Sequence, residues 1–370
     1  MHRRRRPRAP GALSHCCPGT PLTLPLPNGT FRAQAALNWS IAKDGVVVSA
    51  AAVAQRNAAQ LPAPKLTKGG KVAVLATSGA DALGAQKVPG SAYDALYDEI
   101  TAHLGGASEI YVEDATLGSH AKLSLPTRAI CEDAASAAAF RATLCPAPGL
   151  SAKLSSSAAE FVVYAAPSFK SSVVEGPFVA LNLERGELLI GGGAVHLGAG
   201  SAALSCLGAG AAHLATQTLG DVVALPGSCT VAAGETFVVC GGKGKLPGKT
   251  YASGSVFVGE DGVWSGFKVP GPNVLKAPAA VTLIMEGAKS AAVLTPEQAA
   301  FYALGLKVAT CTDAAAVLGE LGSVVLAPTV AAANKVIGGS ASGESVPAPA
   351  DMVAFVKSEF PSFQMPETVA

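Results

Sequence analysis

Apolar and polar residues alternate over residues 71–77, the period of a half-buried strand. The period then lengthens. Over 92–104 apolar residues recur at helical spacing, Asp94, Asp98 and Glu99 fall on the other face, and Gly105-Gly106 supplies a stop. Short apolar runs at 109–113, 125–130, 160–165, 178–183 and 187–190 predict strands, the last turning at Gly191-Gly192-Gly193. An Ala-rich helix is predicted over 132–144, ending before Pro146. A buried strand is predicted over 236–240. Further on come a helix over 313–321, a strand over 323–326 and a Gly/Ser/Pro-rich linker over 338–349. Met352, Val353, Phe355, Val356 and Phe360 then fall at helical spacing, which predicts a short amphipathic helix capping the core. Strands interleaved with helices predict a mixed α/β fold.

Composition narrows the picture. The 370 residues are 49% hydrophobic and only 14% charged, with a net charge of +1, which argues against a nucleic-acid footprint or an acidic tail. Ala and Gly replace larger apolar residues, so each core side chain buries less area and support from a partner protein is favoured. Residues 1–45 form a separate region: Arg3, Arg4, Arg5, Arg6, Arg8 and Arg32 occur with no acid before Asp44. That is the composition of an organelle transit segment or of a disordered tail. The first reading implies an organelle, a mitochondrion before a plastid. Eight cysteines are scattered without a Cys-x-x-Cys pair, which predicts free thiols in a reducing compartment and no metal site built on them. Residues 188–220 lack Lys, Arg, Asp and Glu and exceed the ~20 residues that span a bilayer, but Gly, Ala and Ser dominate them. No transmembrane segment is predicted there.

The chemistry concentrates in Cys240-Gly-Gly-Lys-Gly-Lys-Leu-Pro-Gly-Lys-Thr250. A strand delivers the chain to a glycine-rich loop that closes on Gly248, Lys249 and Thr250. Gly242, Gly244 and Gly248 would let backbone N–H groups crowd a phosphate, Lys249 would reach the β/γ-phosphates of ATP, and Thr250 would hold Mg²⁺. The spacing departs from that motif: Gly242 comes one place early, Lys243 stands where the first Gly belongs, and Pro247 removes a donor.

Several stretches, in order, resemble the ATP-dependent phosphoenolpyruvate carboxykinases. They are Glu109-Ile-Tyr-Val-Glu-Asp-Ala-Thr-Leu-Gly-Ser-His120, Leu125-Pro-Thr-Arg-Ala-Ile-Cys-Glu132, Glu160-Phe-Val-Val-Tyr-Ala-Ala-Pro167, and the strand from Val179 into Ile190-Gly191-Gly192. The glycine-rich loop comes where the family places its own. Phe257-Val-Gly-Glu-Asp-Gly-Val-Trp264 is similar to a family segment whose carboxylates serve metal and nucleotide, which makes Glu260 and Asp261 the metal candidates, for Mg²⁺ or Mn²⁺. Leu294-Thr-Pro-Glu-Gln-Ala-Ala-Phe-Tyr302 resembles a family helix. The resemblance implies a mixed-sheet carboxykinase-like fold, with an N-terminal-like domain over 66–220, a shortened nucleotide-binding-like domain over 221–336, and a linker and helix over 337–370. It also makes 188–220 interior strands and tight turns.

The departures set the expected function. The family's oxaloacetate-binding loop carries an Arg; Ser78-Gly-Ala-Asp-Ala-Leu-Gly-Ala-Gln86 has none. Its paired lysines, one of them a manganese ligand, are missing from Gly191 to Ala203, and its metal-binding His is missing from Gly227 to Gly234. His196 and His213 lie near the lost positions without aligning to them. No catalytic residue is assigned. The expectation is a carboxykinase-like protein that has lost catalysis and serves as a structural or interaction subunit among protein partners. The alternative is a divergent active enzyme of gluconeogenesis, converting oxaloacetate and ATP to phosphoenolpyruvate, or a nucleotide-binding relative.

Overall fold

The computed structural model describes residues 72–366 apart from 79–82, 108–109, 121–123, 147–160, 194, 199–200, 219–221, 242–247, 289, 307–317 and 338–348. The segment 1–45 lies outside the described residues, as do most of the helix expected over 313–321 and of the linker expected over 338–349.

Strand β5 (Phe161–Ala166) is buried at every position, so its side chains must feed two different cores. Phe161, Val163 and Ala165 enter one, and Val162, Tyr164 and Ala166 enter the other. Around it are β1 (Ala73–Ala76), β2 (Gln86–Lys87), β3 (Tyr111–Leu117), β4 (Leu125–Cys131), β6 (Phe178–Asn182) and β7 (Glu187–Gly191). The sheet order is β2-β1-β6-β7-β5-β4-β3, with β4, β5 and β7 parallel and β3 antiparallel at one edge. Helix α1 (Gly90–Gly105) buries Tyr93, Leu96, Tyr97, Ile100 and Leu104 on one face, and Gly106 caps it by donating to the carbonyls of residues 102–104. Helix α2 (Ala134–Thr143) covers the other face through Ala137 and Phe140, its N-terminus capped by Asp133, which accepts from the Ser136 amide at 2.7 Å.

The stretch 188–220 corrects the expectation of strands and turns. After β7 it forms helix α3 (Ala202–Thr218). Alanine and leucine favour the helix, and Ala203, Leu204, Cys206, Leu207 and Ala211 place its apolar side in the α2 core. Among the described residues no helix is long and apolar enough to cross a membrane.

Four strands form a seam between this unit and the rest: β8 (Val222–Leu225), β12 (Val256–Gly259), β13 (Gly262–Ser265) and β14 (Val274–Leu275), ordered β14-β13-β12-β8. Alternation again divides them. Val222, Ala224, Phe257 and Trp264 join the α2–α3 core, while Val223, Leu225, Val256, Val258 and Val263 face the C-terminal core. Glu260 and Asp261 make the tight turn between β12 and β13, closed by Gly262 at φ +119°. A Cβ at 262 would run into the Leu275 carbonyl oxygen. Gly262→Ala is therefore expected to lower stability by about 1–3 kcal/mol in denaturant titrations, from backbone strain and clash together.

Beyond the seam stand β9 (Gly227–Ala232), β10 (Glu235–Cys240), β11 (Lys249–Ser253), β15 (Ala280–Ile284), β16 (Ala292–Val293) and β17 (Ser323–Ala327), ordered β11-β9-β10-β15-β17-β16. Helix α4 (Pro296–Gly305) opens with a capping box: Thr295 Oγ1 accepts from the Gln298 amide, and Gln298 Oε1 accepts from the Thr295 amide. Helix α5 (Val330–Ile337), which the sequence pattern did not predict, closes the outer face through Val330, Ala333 and Val336. Helix α6 (Ala350–Glu359) packs on α4 and buries Val356 fully.

Candidate functional site

The expected phosphate loop joins two strands. β10 enters it, as its apolar run predicts, and Gly248 leaves it at φ +101°. Lys249 and Thr250 then open β11 and pair in register with Val231 and Thr230 of β9; both are exposed. A phosphate cradle normally gains much of its field from a helix N-terminus directly after the loop, and here the chain continues as strand. Gly242 and Gly244 lie outside the described residues.

The two metal candidates stand apart from that loop in the seam sheet. Glu260 is exposed. Asp261 is engaged by a residue the sequence reading did not single out: its Oδ2 lies 3.3 Å from His120 Nε2. The His120 side chain is only 8% exposed and packs at a tilt on Trp264, ring centroids 5.0 Å apart, and Trp264 stacks on Phe257 at 5.9 Å. Among the described residues no group of three His, Cys, Asp or Glu converges to hold a metal ion. One carboxylate bound to one imidazole does not fit the ligand demand of Mg²⁺ or Mn²⁺, which prefer several oxygen donors. His213 sits half-buried in α3, where burial lowers its pKa, and His196 lies in the segment before that helix.

His120 belongs to a tight junction between the seven-stranded sheet and the seam. The Gly118 amide donates to the Gly266 carbonyl and the Ser119 amide to the Ser265 carbonyl, both at 2.8 Å. Ser119 Oγ donates to the Asn273 carbonyl at 2.6 Å and accepts from the Ser265 amide at 3.2 Å. Beside this junction opens a cleft of about 330 Å³, lined by Thr116, Ser119, His120, Ser124, Cys145 and Lys268. The Cys145 thiol is pushed up to about 11 by burial, only partly offset by Lys268, so it is a protonated thiol at neutral pH. All five described cysteines are free and buried. No short-range signal marks the cleft, because its residues come from positions as far apart as Thr116 and Asn273.

Three arginines of the first sheet and its surroundings are committed internally. Arg128 binds Asp114 through Nε at 2.7 Å and Nη2 at 3.0 Å, across the register of β3 and β4. Arg141 of α2 grips Glu113 at 2.7 and 2.9 Å; burial raises the Glu113 pKa and Arg141 opposes the rise. Arg185 lies 2.6 Å from Asp94 of α1.

The architecture is thus a mixed α/β assembly of three sheets in which charged groups brace strands. Residues 82–200, about a third of the chain, match the family model of phosphoenolpyruvate carboxykinase. The matched region runs from just before α1 to the start of α3 and includes Arg128, Arg141 and Arg185. A comparison with curated proteins gives no match.

Proposed function

We propose that this protein is a carboxykinase-like subunit that does not carry out carboxykinase chemistry and holds protein partners in a larger assembly. The observation that supports it most is the replacement of charge by packing after β7. From Leu188 to Gly220 there is no Lys, Arg, Asp or Glu, and α3 occupies half of that stretch, with Ala203, Leu204, Cys206, Leu207 and Ala211 turned into the core. Decarboxylating oxaloacetate and phosphorylating the enolate gathers carboxylates, an enolate and a triphosphate, which needs fixed cations to offset the developing charge. Arg128, Arg141 and Arg185 instead neutralise carboxylates of their own fold. Losing one such donor costs on the order of 10²–10³ in rate, and several positions are affected at once. The acid-free N-terminal stretch supports an organelle, a mitochondrion before a plastid. The family match over 82–200 supports ATP as the nucleotide that any retained site would take.

A coupled assay with oxaloacetate, ATP, Mg²⁺ and Mn²⁺ tests the reading. No phosphoenolpyruvate is expected above the rate of a boiled control, while the natively isolated protein co-migrates with other chains in native mass spectrometry. Turnover that disappears in Lys249→Ala would overturn the proposal in favour of a divergent active enzyme.

A further inference from the structure

We propose that the cleft between the end of β3 and the segment after β13 binds a small organic anion, a carboxylate or a phosphate ester, through Lys268. The floor of the cleft is polar yet buried: Thr116, Ser119, His120 and Cys145 are each between 6% and 8% exposed. The hydroxyls are held by backbone, Ser119 between Asn273 and Ser265, and Thr116 to the Cys145 carbonyl at 3.4 Å, so the walls are preorganised. Ser124, also lining the cleft, makes no hydrogen bond among the described residues and is left to serve a ligand.

Charge gives the class of ligand. Lys268 makes no ion pair among the described residues, although its backbone is anchored by donation to the Thr143 carbonyl at 2.8 Å. Its positive charge reaches Cys145 and Glu113. Glu113 is already gripped by two nitrogens of Arg141, and Cys145 is neutral, so neither satisfies the ammonium. Asp261, the other acid at this junction, is drawn to His120. A lysine with an anchored backbone beside an ordered polar wall, in a space of about 330 Å³, suits one anionic group on a small body, near the lower end of small-molecule sites. No residue of the glycine-rich loop is among those lining the cleft, and the proposal does not depend on whether carboxykinase chemistry has been lost.

The test is a thermal-shift and calorimetric titration of the full chain with inorganic phosphate and, separately, with succinate, at ionic strength held constant with chloride. Lys268→Ala is compared with Lys276→Ala; both lysines are exposed, so neither change should prevent folding. A saturable rise in melting temperature is expected with at least one probe in the wild type and in Lys276→Ala. Lys268→Ala should weaken that binding roughly tenfold or more, the loss of one charge-assisted hydrogen bond. Whichever probe binds identifies the anionic group. No saturable response to either probe, or an unchanged midpoint in Lys268→Ala, would overturn the proposal.

Discussion

Asp114→Ala is expected to destabilise the protein by about 3–5 kcal/mol in equilibrium denaturation, the cost of removing one partner of a buried pair. Asp114 is 2% exposed and Arg128 14%, and the guanidinium meets the carboxylate side-on through two nitrogens. The two residues stand directly opposite in β3 and β4, so the pair also fixes the register of the sheet edge. Removing the carboxylate leaves a guanidinium in a site with little access to water, and that desolvation is the main cost. The double variant Asp114→Ala/Arg128→Ala should destabilise less than the sum of the two single changes, because it leaves no unmatched charge. A coupling energy near zero in the double-mutant cycle would show that the pair is not what holds this edge.

Stability is also expected to fall as pH rises from about 4.5 to about 7, by a component that Glu187→Gln removes. Glu187 of β7 is buried, and its Oε2 has no hydrogen-bond partner among the described residues. Burial raises its pKa from the ordinary 4.5 to about 7; Arg185 opposes the rise and Asp94 adds to it. Tyr93, Tyr97 and Tyr164 share the same interior, and burial raises their own pKa values, so they stay neutral across this range. Folded Glu187 holds its proton more tightly than unfolded Glu187, so its protonated form favours folding. That contribution is complete below about 4.5 and is lost as pH passes through about 7. Its size is on the order of 2–3 kcal/mol. Glu99 and Glu132 titrate in the opposite sense: hydrogen bonds from Ser172 and Ser171 lower the first. For the second, burial is opposed and outweighed by Ser168 and His103. The informative quantity is therefore the wild-type slope minus that of Glu187→Gln. Identical slopes between pH 5 and 7.5 would mean that Glu187 is ionised in the folded protein at no cost.

Much of the fold was legible from local pattern. The strands around Ala73, Leu125, Phe161, Phe178, Phe237 and Val324 and the helices α1, α2 and α6 lie where apolar period and stop signals put them. Legibility was highest where one segment carried its own signal, such as the Gly105-Gly106 stop. It failed at 202–218, where Ala, Gly and Ser bury equally well in strand or helix, so periodicity is faint and packing against β6, β7 and β8 decides. Lys249 and Thr250 open β11 against β9, a pairing that no local pattern announced.

The sequence by itself determined the mixed α/β class, the absence of charged residues across 188–220, and the family-model match over 82–200, because each is a property of residue types along a single segment. Only the tertiary structure decided which charges meet. Asp261 had no visible partner until the β12–β13 turn was laid against the end of β3 and brought His120 to 3.3 Å. Lys268 became a candidate ligand for an anion only when Arg141, 127 positions earlier, took Glu113 for itself. Electrostatic partners are set by distance and burial, and both are fixed when the sheets pack together, not along the chain.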